Sequence, residues 1–184
     1  MMKRIIIGSL IAAFCAVFAG AQTFTDPGKW NAYNDTSNGG NSTIKLASAT
    51  ESFGGKDYLV FSATGAVTTK YQYGFIGIAV TPDASTLQIL KTGKGITFKT
   101  KGDGKKYRVK IETSDITDFD MYGYVFVAPT DNAKEITVKF SDLTQEGWGA
   151  KKKFNPANIV KISFQTIGQP IPSYSIKLFD LKAF

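Results

Sequence analysis

From Thr43 onward the chain alternates apolar and polar residues with a period of two, in short runs broken by Gly, Asn, Asp and Pro. That period turns one face of an extended segment toward a core and the other toward water. Beyond residue 21, no stretch of twelve or more residues keeps the i, i+3, i+4 apolar spacing of a helix. Strands are expected at STIKLAS, DYLVFSAT, KYQYGFIGIAV, GITFKTK, KKYRVKIET, DMYGYVFVAP, EITVKF, IVKISFQT and SYSIKLFDL. The Asp-Gly step in ITFKTK-GDG-KKYRVKIE predicts a tight hairpin between two of them. SDLTQ (141–145) predicts one helical turn. Many short strands at regular spacing predict an all-β fold, an antiparallel β-sandwich, with no second domain and no repeat.

The first 21 residues read as a targeting segment. Lys3 and Arg4 precede the apolar IIIGSLIAAFCAVF, and AGA ending at Ala21 offers small residues for cleavage. The apolar run is too short to span a bilayer, and no later stretch reaches that length. A lipoprotein signal centred on Cys15 is the competing reading, but Phe14 puts a bulky ring where a small residue is wanted. Residues 22–184 are therefore expected to form one exported domain, secreted or held in the periplasm or cell envelope. Cleavage would remove the only cysteine, so stability has to come from a core and not from disulfides.

The chain has no histidine. Ser-His-Asp and Cys-His catalysis and ordinary zinc sites are thereby excluded. The formal charge is +7, and without Lys3 and Arg4 it is +5. Arg108 is then the one arginine among scattered lysines, a pattern that suits a solvated surface better than nucleic-acid recognition. GKGITFKTKGDGKK lacks the spacing of a phosphate loop and opens no helix. Glu112, Asp115, Asp118, Asp120, Asp142 and Glu146 are numerous enough for a glycosidase pair, but solvated loop carboxylates are the expectation, and no enzyme activity is expected. NDTSNGGNST (34–43) fails the helix-loop-helix calcium template and reads as a turn with Gly39 and Gly40 at permissive angles.

Alternation also sorts faces. In YRVKIE, Tyr107, Val109 and Ile111 are expected inward, with Arg108, Lys110 and Glu112 outward. In DMYGYVF, Asp120, Tyr122, Tyr124 and Phe126 share a face, and Tyr71, Tyr73 and Phe75 share another in KYQYGFIGIAV. A tyrosine ring matches the C–H face of a sugar and carries a hydroxyl beside it. The same tyrosines could equally complete a sandwich core.

Several segments, in order, resemble the complex I intermediate-associated protein domain and the related family-eleven carbohydrate-binding modules, which are galactose-binding-like jelly rolls. They are Trp30 with NDTSNGGNS, GITFKTKGDGKKYRVKIET, ITVKFSDLTQEGWG, NIVKISFQT and YSIKLFDL. Asp35, Gly39, Gly40 and Ser42 resemble the family's early signature turn. The resemblance implies a jelly-roll sandwich that binds a polysaccharide or envelope glycan without catalysis. A protein-interaction or assembly module of the envelope is the alternative use of the same face. Tyr71, Tyr73, Arg108, Lys110, Asp120, Tyr122 and Tyr124 are the expected ligand residues on an outer sheet face, with Trp148 at a loop rim. No cofactor is expected. A structural calcium stays open, although Phe179-Asp180 stands where the family often has paired aspartates.

Overall fold

The computed structural model describes residues 24–184, so the expected signal segment lies outside the described residues. Ten strands form two five-stranded sheets in which every pairing is antiparallel. The strands are β1 (Trp30–Asn34), β2 (Thr43–Phe53), β3 (Lys56–Val67), β4 (Ile76–Val80) and β5 (Gly95–Gly102). They continue with β6 (Lys106–Thr113), β7 (Tyr122–Val127), β8 (Lys134–Lys139), β9 (Ile159–Thr166) and β10 (Ile171–Ala183). One sheet runs β1-β4-β9-β6-β7 and the other β2-β3-β10-β5-β8, the layering of a jelly-roll sandwich.

Aromatic rings fill the space between the layers. Trp30 stacks on Phe61 across the sheets at 4.1 Å, while Phe98 meets both Phe126 and Phe164 edge-on at 5.0 Å. All these side chains are buried, as are Val109, Ile111 and Ile162 around them. Burial at roughly 25 cal/mol per Å² makes such large rings the main source of stability in a chain without disulfides.

Two local expectations are corrected, and two elements are added. The GDG segment is a corner between layers and not a hairpin, because β5 pairs with β10 and β8 whereas β6 pairs with β9 and β7. KYQYG is a loop, since β4 begins only at Ile76. A nine-residue helix, α1 (Ala84–Thr92), starts where the Asp83 carboxylate accepts the Thr86 N–H at 2.7 Å. The 141–145 turn is a short 3-10 turn at Phe140–Asp142. β1 is an addition to the strands expected from alternation.

Two turns owe their shape to carboxylates that gather hydrogen bonds. Asp35 is fully buried and accepts the Ser42 N–H at 3.0 Å and the Ser42 hydroxyl at 2.6 Å. A methyl group at Gly40 would fall 2.2 Å from that carboxylate, which is why the second glycine is required. The signature turn is thus closed by hydrogen bonds of its own. At the layer corner, Asp103 accepts the Tyr107 hydroxyl at 2.6 Å, both nitrogens of Lys105, and the Ser175 N–H at 3.1 Å. Burial would raise the Asp103 carboxyl, but those hydrogen bonds outweigh it and hold the group below the usual carboxylate range.

A third carboxylate shapes the loop after β8. Asp120 has no exposed surface and accepts the backbone N–H groups of Glu146, Gly147 and Gly149 at 2.8, 3.0 and 3.0 Å. Asp118 accepts the Ala150 N–H beside it at 2.6 Å. The side chain of Gln145 spans the same loop, donating to the carbonyls of Asp120 and Ala150 and accepting from the Lys152 N–H. Asp120 is therefore a loop anchor, not a residue on the outer sheet face.

Two substitutions check these anchors. Asp103→Ala should cost about 2–3 kcal/mol at neutral pH in urea unfolding, because it orphans the buried Tyr107 hydroxyl. A carboxyl held more acidic in the fold stabilises it fully above the unfolded value near 4, as an approximate figure, and loses that contribution as pH falls through the folded value. The difference between wild type and Asp103→Ala should accordingly shrink below about pH 4. Asp120→Asn should speed hydrogen exchange at the amides of Glu146, Gly147 and Gly149 while β6 and β9 stay protected; unchanged exchange would refute the anchoring role.

Candidate functional site

The register of the first sheet sets what its outer face carries. Gln165 on β9 lies opposite Gly77 on one side and Arg108 on the other, with Tyr33 and Val125 extending the row. The next row is Asn31, Ala79, Ser163, Lys110 and Gly123. Glu112 and Lys161 follow, joined by a salt bridge at 3.0 Å. Four of these positions are Gly, Ala or Ser, so the middle of the face is a low floor between longer side chains.

Tyr33 lies across that floor. A methyl at Gly77 would come within 2.5 Å of the Tyr33 phenol carbon and oxygen, so the ring rests on the glycine. Its hydroxyl donates to Gln165 Oε1 at 3.3 Å, and Lys110 Nζ donates to the same oxygen at 3.3 Å. Burial pushes the Tyr33 phenol well up. Burial also lowers the Lys110 ammonium, against the opposing pull of Glu112 and Glu146. Ser163 faces this floor fully buried, its hydroxyl beside the Tyr33 phenol, where it opposes the upward push of burial.

Arg108 and Lys110 face outward as alternation predicts, but Arg108 is only 8% exposed. Its side chain lies over Gly123, where a methyl would meet Nε at 2.3 Å. One guanidinium nitrogen donates to the Thr144 carbonyl, while Nε is buried without a partner among the described residues. Thr144 and Gly123 also exchange backbone hydrogen bonds at 2.9 and 3.0 Å. Arg108 therefore ties the anchored loop to the sheet edge.

The other expected residues divide. Tyr122 and Tyr124 pair with Ile111 and Val109 and point inward with them; Tyr122 is 4% exposed and packs edge-on against Phe154 at 5.0 Å. Their expected place on the outer face is corrected: alternation groups them properly but with Phe126, which belongs to the core. Tyr71 and Tyr73 sit in the loop before β4 with their rings 5.8 Å apart, Tyr71 half-buried and Tyr73 69% exposed. Gln169 pins that loop by accepting the Gly74 N–H at 2.6 Å and donating to the Gln72 carbonyl. Phe75 connects it to the floor through a tilted contact with Tyr33 at 6.0 Å. Trp148, 61% exposed, stands on the anchored loop.

Tyr33, Ser163 and Gln165 are additions that the sequence reading missed. The signal was present in WNAYN, where alternation sends Trp30 inward and Tyr33 outward, but five residues are a short run. No cluster of three or more His, Cys, Asp or Glu residues is arranged to hold a metal ion among the described residues.

Comparison with known proteins agrees with this architecture. Over 160 residues the chain is 30% identical to endoglucanase 3 of Fibrobacter succinogenes; the match takes in 82% of this chain and 23% of that enzyme. The family 11 carbohydrate-binding module of a cellulosomal cellulase of Clostridium thermocellum superposes with a TM-score of 0.58 at 16% identity, over 90% of this chain and 94% of the module. A second structure of the family 11 module from Clostridium thermocellum, in complex with a β-1,3-1,4-mixed-linked tetrasaccharide, gives 0.56 at 16% identity over 88% and 91%. At that identity the structural likeness establishes the sandwich fold. A sequence model of complex I intermediate-associated protein 30 (CIA30) matches residues 17–178, and the chain belongs to that family.

Proposed function

We propose that this chain is a non-catalytic, exported glycan-binding protein, and that it holds a β-linked glucan chain on the outer face of the β1-β4-β9-β6-β7 sheet. The observation that carries the reading is the Tyr33 ring laid over Gly77 beside Gln165, Lys110 and Ser163. A pyranose has an apolar C–H face and a rim of hydroxyls. An aromatic ring next to a buried hydroxyl and a lysine answers both features. The small residues of the floor leave room for the sugar, and Tyr73 and Trp148 stand exposed on the loops before β4 and after β8, where they could meet a longer chain. Carbohydrate-binding modules among the structural neighbours, one of them bound to a mixed-linked tetrasaccharide, support the ligand class.

The acidic groups near this face favour holding over hydrolysis. Glu112 is bound to Lys161, and both oxygens of Asp120 accept backbone N–H groups. The backbone N–H groups of Ala150 and Asp120 hold the Asp118 carboxyl below its ordinary range. A general acid for glycoside cleavage needs the opposite shift.

Affinity electrophoresis in gels containing soluble mixed-linked β-glucan tests the reading. Tyr33→Ala should weaken retention about tenfold, the stacking contribution of one ring, while thermal unfolding shows the fold intact. Lys110→Ala should weaken it as well, and Tyr73→Ala and Trp148→Ala should weaken retention of long chains more than of short oligosaccharides. Wild-type retention by both Tyr33→Ala and Lys110→Ala would place the ligand elsewhere. Gly77→Ala should also weaken retention, because the added methyl displaces the Tyr33 ring; it meets the Phe164 carbonyl at 2.8 Å as well, so thermal unfolding of this variant has to accompany the binding measurement.

A further inference from the structure

A cavity of about 810 Å³ opens on the other side of the anchored loop, on the inward face of β7. Its apolar wall is Tyr122, Phe140, Leu143 and Phe154, and its rim is the run Lys151, Lys152 and Lys153. None of these residues belongs to the outer-face rows, and Tyr122 is directed away from Arg108 and Lys110 on the far side of its sheet. The geometry points to a second ligand site here, taking a small molecule with an aromatic body and a carboxylate.

The size lies within the roughly 300–1,000 Å³ range of small-molecule pockets. Three rings shape the wall: Phe154 meets Tyr122 edge-on at 5.0 Å and Phe140 at a tilt, 5.2 Å away. That wall takes a flat apolar body, while Ser141, Thr144 and Gln145 line the polar remainder of the cavity. The Tyr122 hydroxyl is the exception in that wall. It is buried and has no hydrogen-bond partner among the described residues, although buried hydroxyls ordinarily have one. The Asp115 carboxylate acts on this hydroxyl from outside the cavity lining, and a ligand oxygen in the cavity would give it a hydrogen-bond partner.

The rim sets the sign of the ligand. The three lysines are exposed and none is in a salt bridge among the described residues. The acidic lining residue, Asp120, has both oxygens occupied by backbone N–H groups of the loop. Asp118 and Asp120 fix the loop on which the lysines follow, so the positive rim is held over the cavity and is not a freely moving tail. An anion at the mouth and a ring against Phe154 satisfy the site together.

Titration calorimetry of the full chain with 2-naphthoate and its neutral counterpart 2-naphthamide tests this. Naphthoate should bind saturably at one site, with the amide about tenfold weaker for want of the lysine contacts. Lys151→Ala combined with Lys153→Ala should remove that preference and leave amide binding unchanged. Tyr122→Phe keeps the packing and removes the hydroxyl alone, so it should fold normally and bind naphthoate less tightly. Equal affinity for acid and amide, an unaltered preference in the lysine variant, or no saturable binding would each overturn the proposal. Retention by mixed-linked β-glucan should be unaffected in the lysine variant, so this site and the glycan face fail or stand separately.

Discussion

The edge-to-face contacts that join Phe98 to Phe126 and Phe164 hold the two layers together, and they also decide what the outside can be. In a sheet the side-chain period is two, so placing Phe164 in the core places Ser163 and Gln165 outside. Phe126 does the same for Val125 on β7, and Tyr107, Val109 and Ile111 do it for Arg108 and Lys110 on β6. A one-residue slip of β9 would bury Gln165 and expose Phe164, a loss of several kcal/mol by transfer alone at about 25 cal/mol per Å². The polar row on the outer face is thus fixed by the rings on the opposite side.

The parts of this arrangement that were legible in the sequence are those carried by local alternation. β6 has one apolar and one charged set, so its faces follow directly, and β9 occupies the residues expected of it. β7 shows where alternation falls short. It groups Tyr122, Tyr124 and Phe126 correctly, but the opposite set, Met121, Gly123 and Val125, is also free of charge. Nothing within the segment says which set is inside. The neighbouring strand supplies the answer, because Ile111 and Val109 lie opposite the two tyrosines. The Asp-Gly corner fails for a related reason. A glycine at positive φ, here Gly104 at 78°, serves a hairpin or a sheet-to-sheet corner equally, and the choice rests on which distant strands are free to pair. α1 is shorter than the twelve-residue window in which its periodicity would register, but Asp83 three residues before Thr86 is the capping signal that marks it.

Hydrogen-bonded carboxylates recur as the device that turns irregular chain into fixed geometry. Asp35, Asp103 and Asp120 each accept two or more hydrogen bonds, and each has a glycine close by. Gly40 and Gly149 are needed because a Cβ would occupy space taken by the acid, at 2.2 Å in the first case and 2.6 Å in the second. In a sequence such residues look like solvated loop acids or members of a catalytic pair. Their role becomes visible only when the backbone N–H groups that converge on them are located. With no histidine in the chain and no disulfide among the described residues, these acids fasten the loops by hydrogen bonds alone.

The loop from Thr144 to Lys153 gains most from this fastening, because its two sides meet different surroundings. Toward the sheet, its Thr144 carbonyl receives Arg108, and Glu146 adds to the field felt by Lys110. Away from the sheet, its lysines border the cavity walled by Phe154 and Tyr122. A loop free to move would average both contributions away: an ion near a mobile partner contributes little. Three N–H groups bound to one fully buried carboxylate prevent that averaging. The charge at either surface is therefore governed from Asp120, a residue whose oxygens serve the loop and not a ligand.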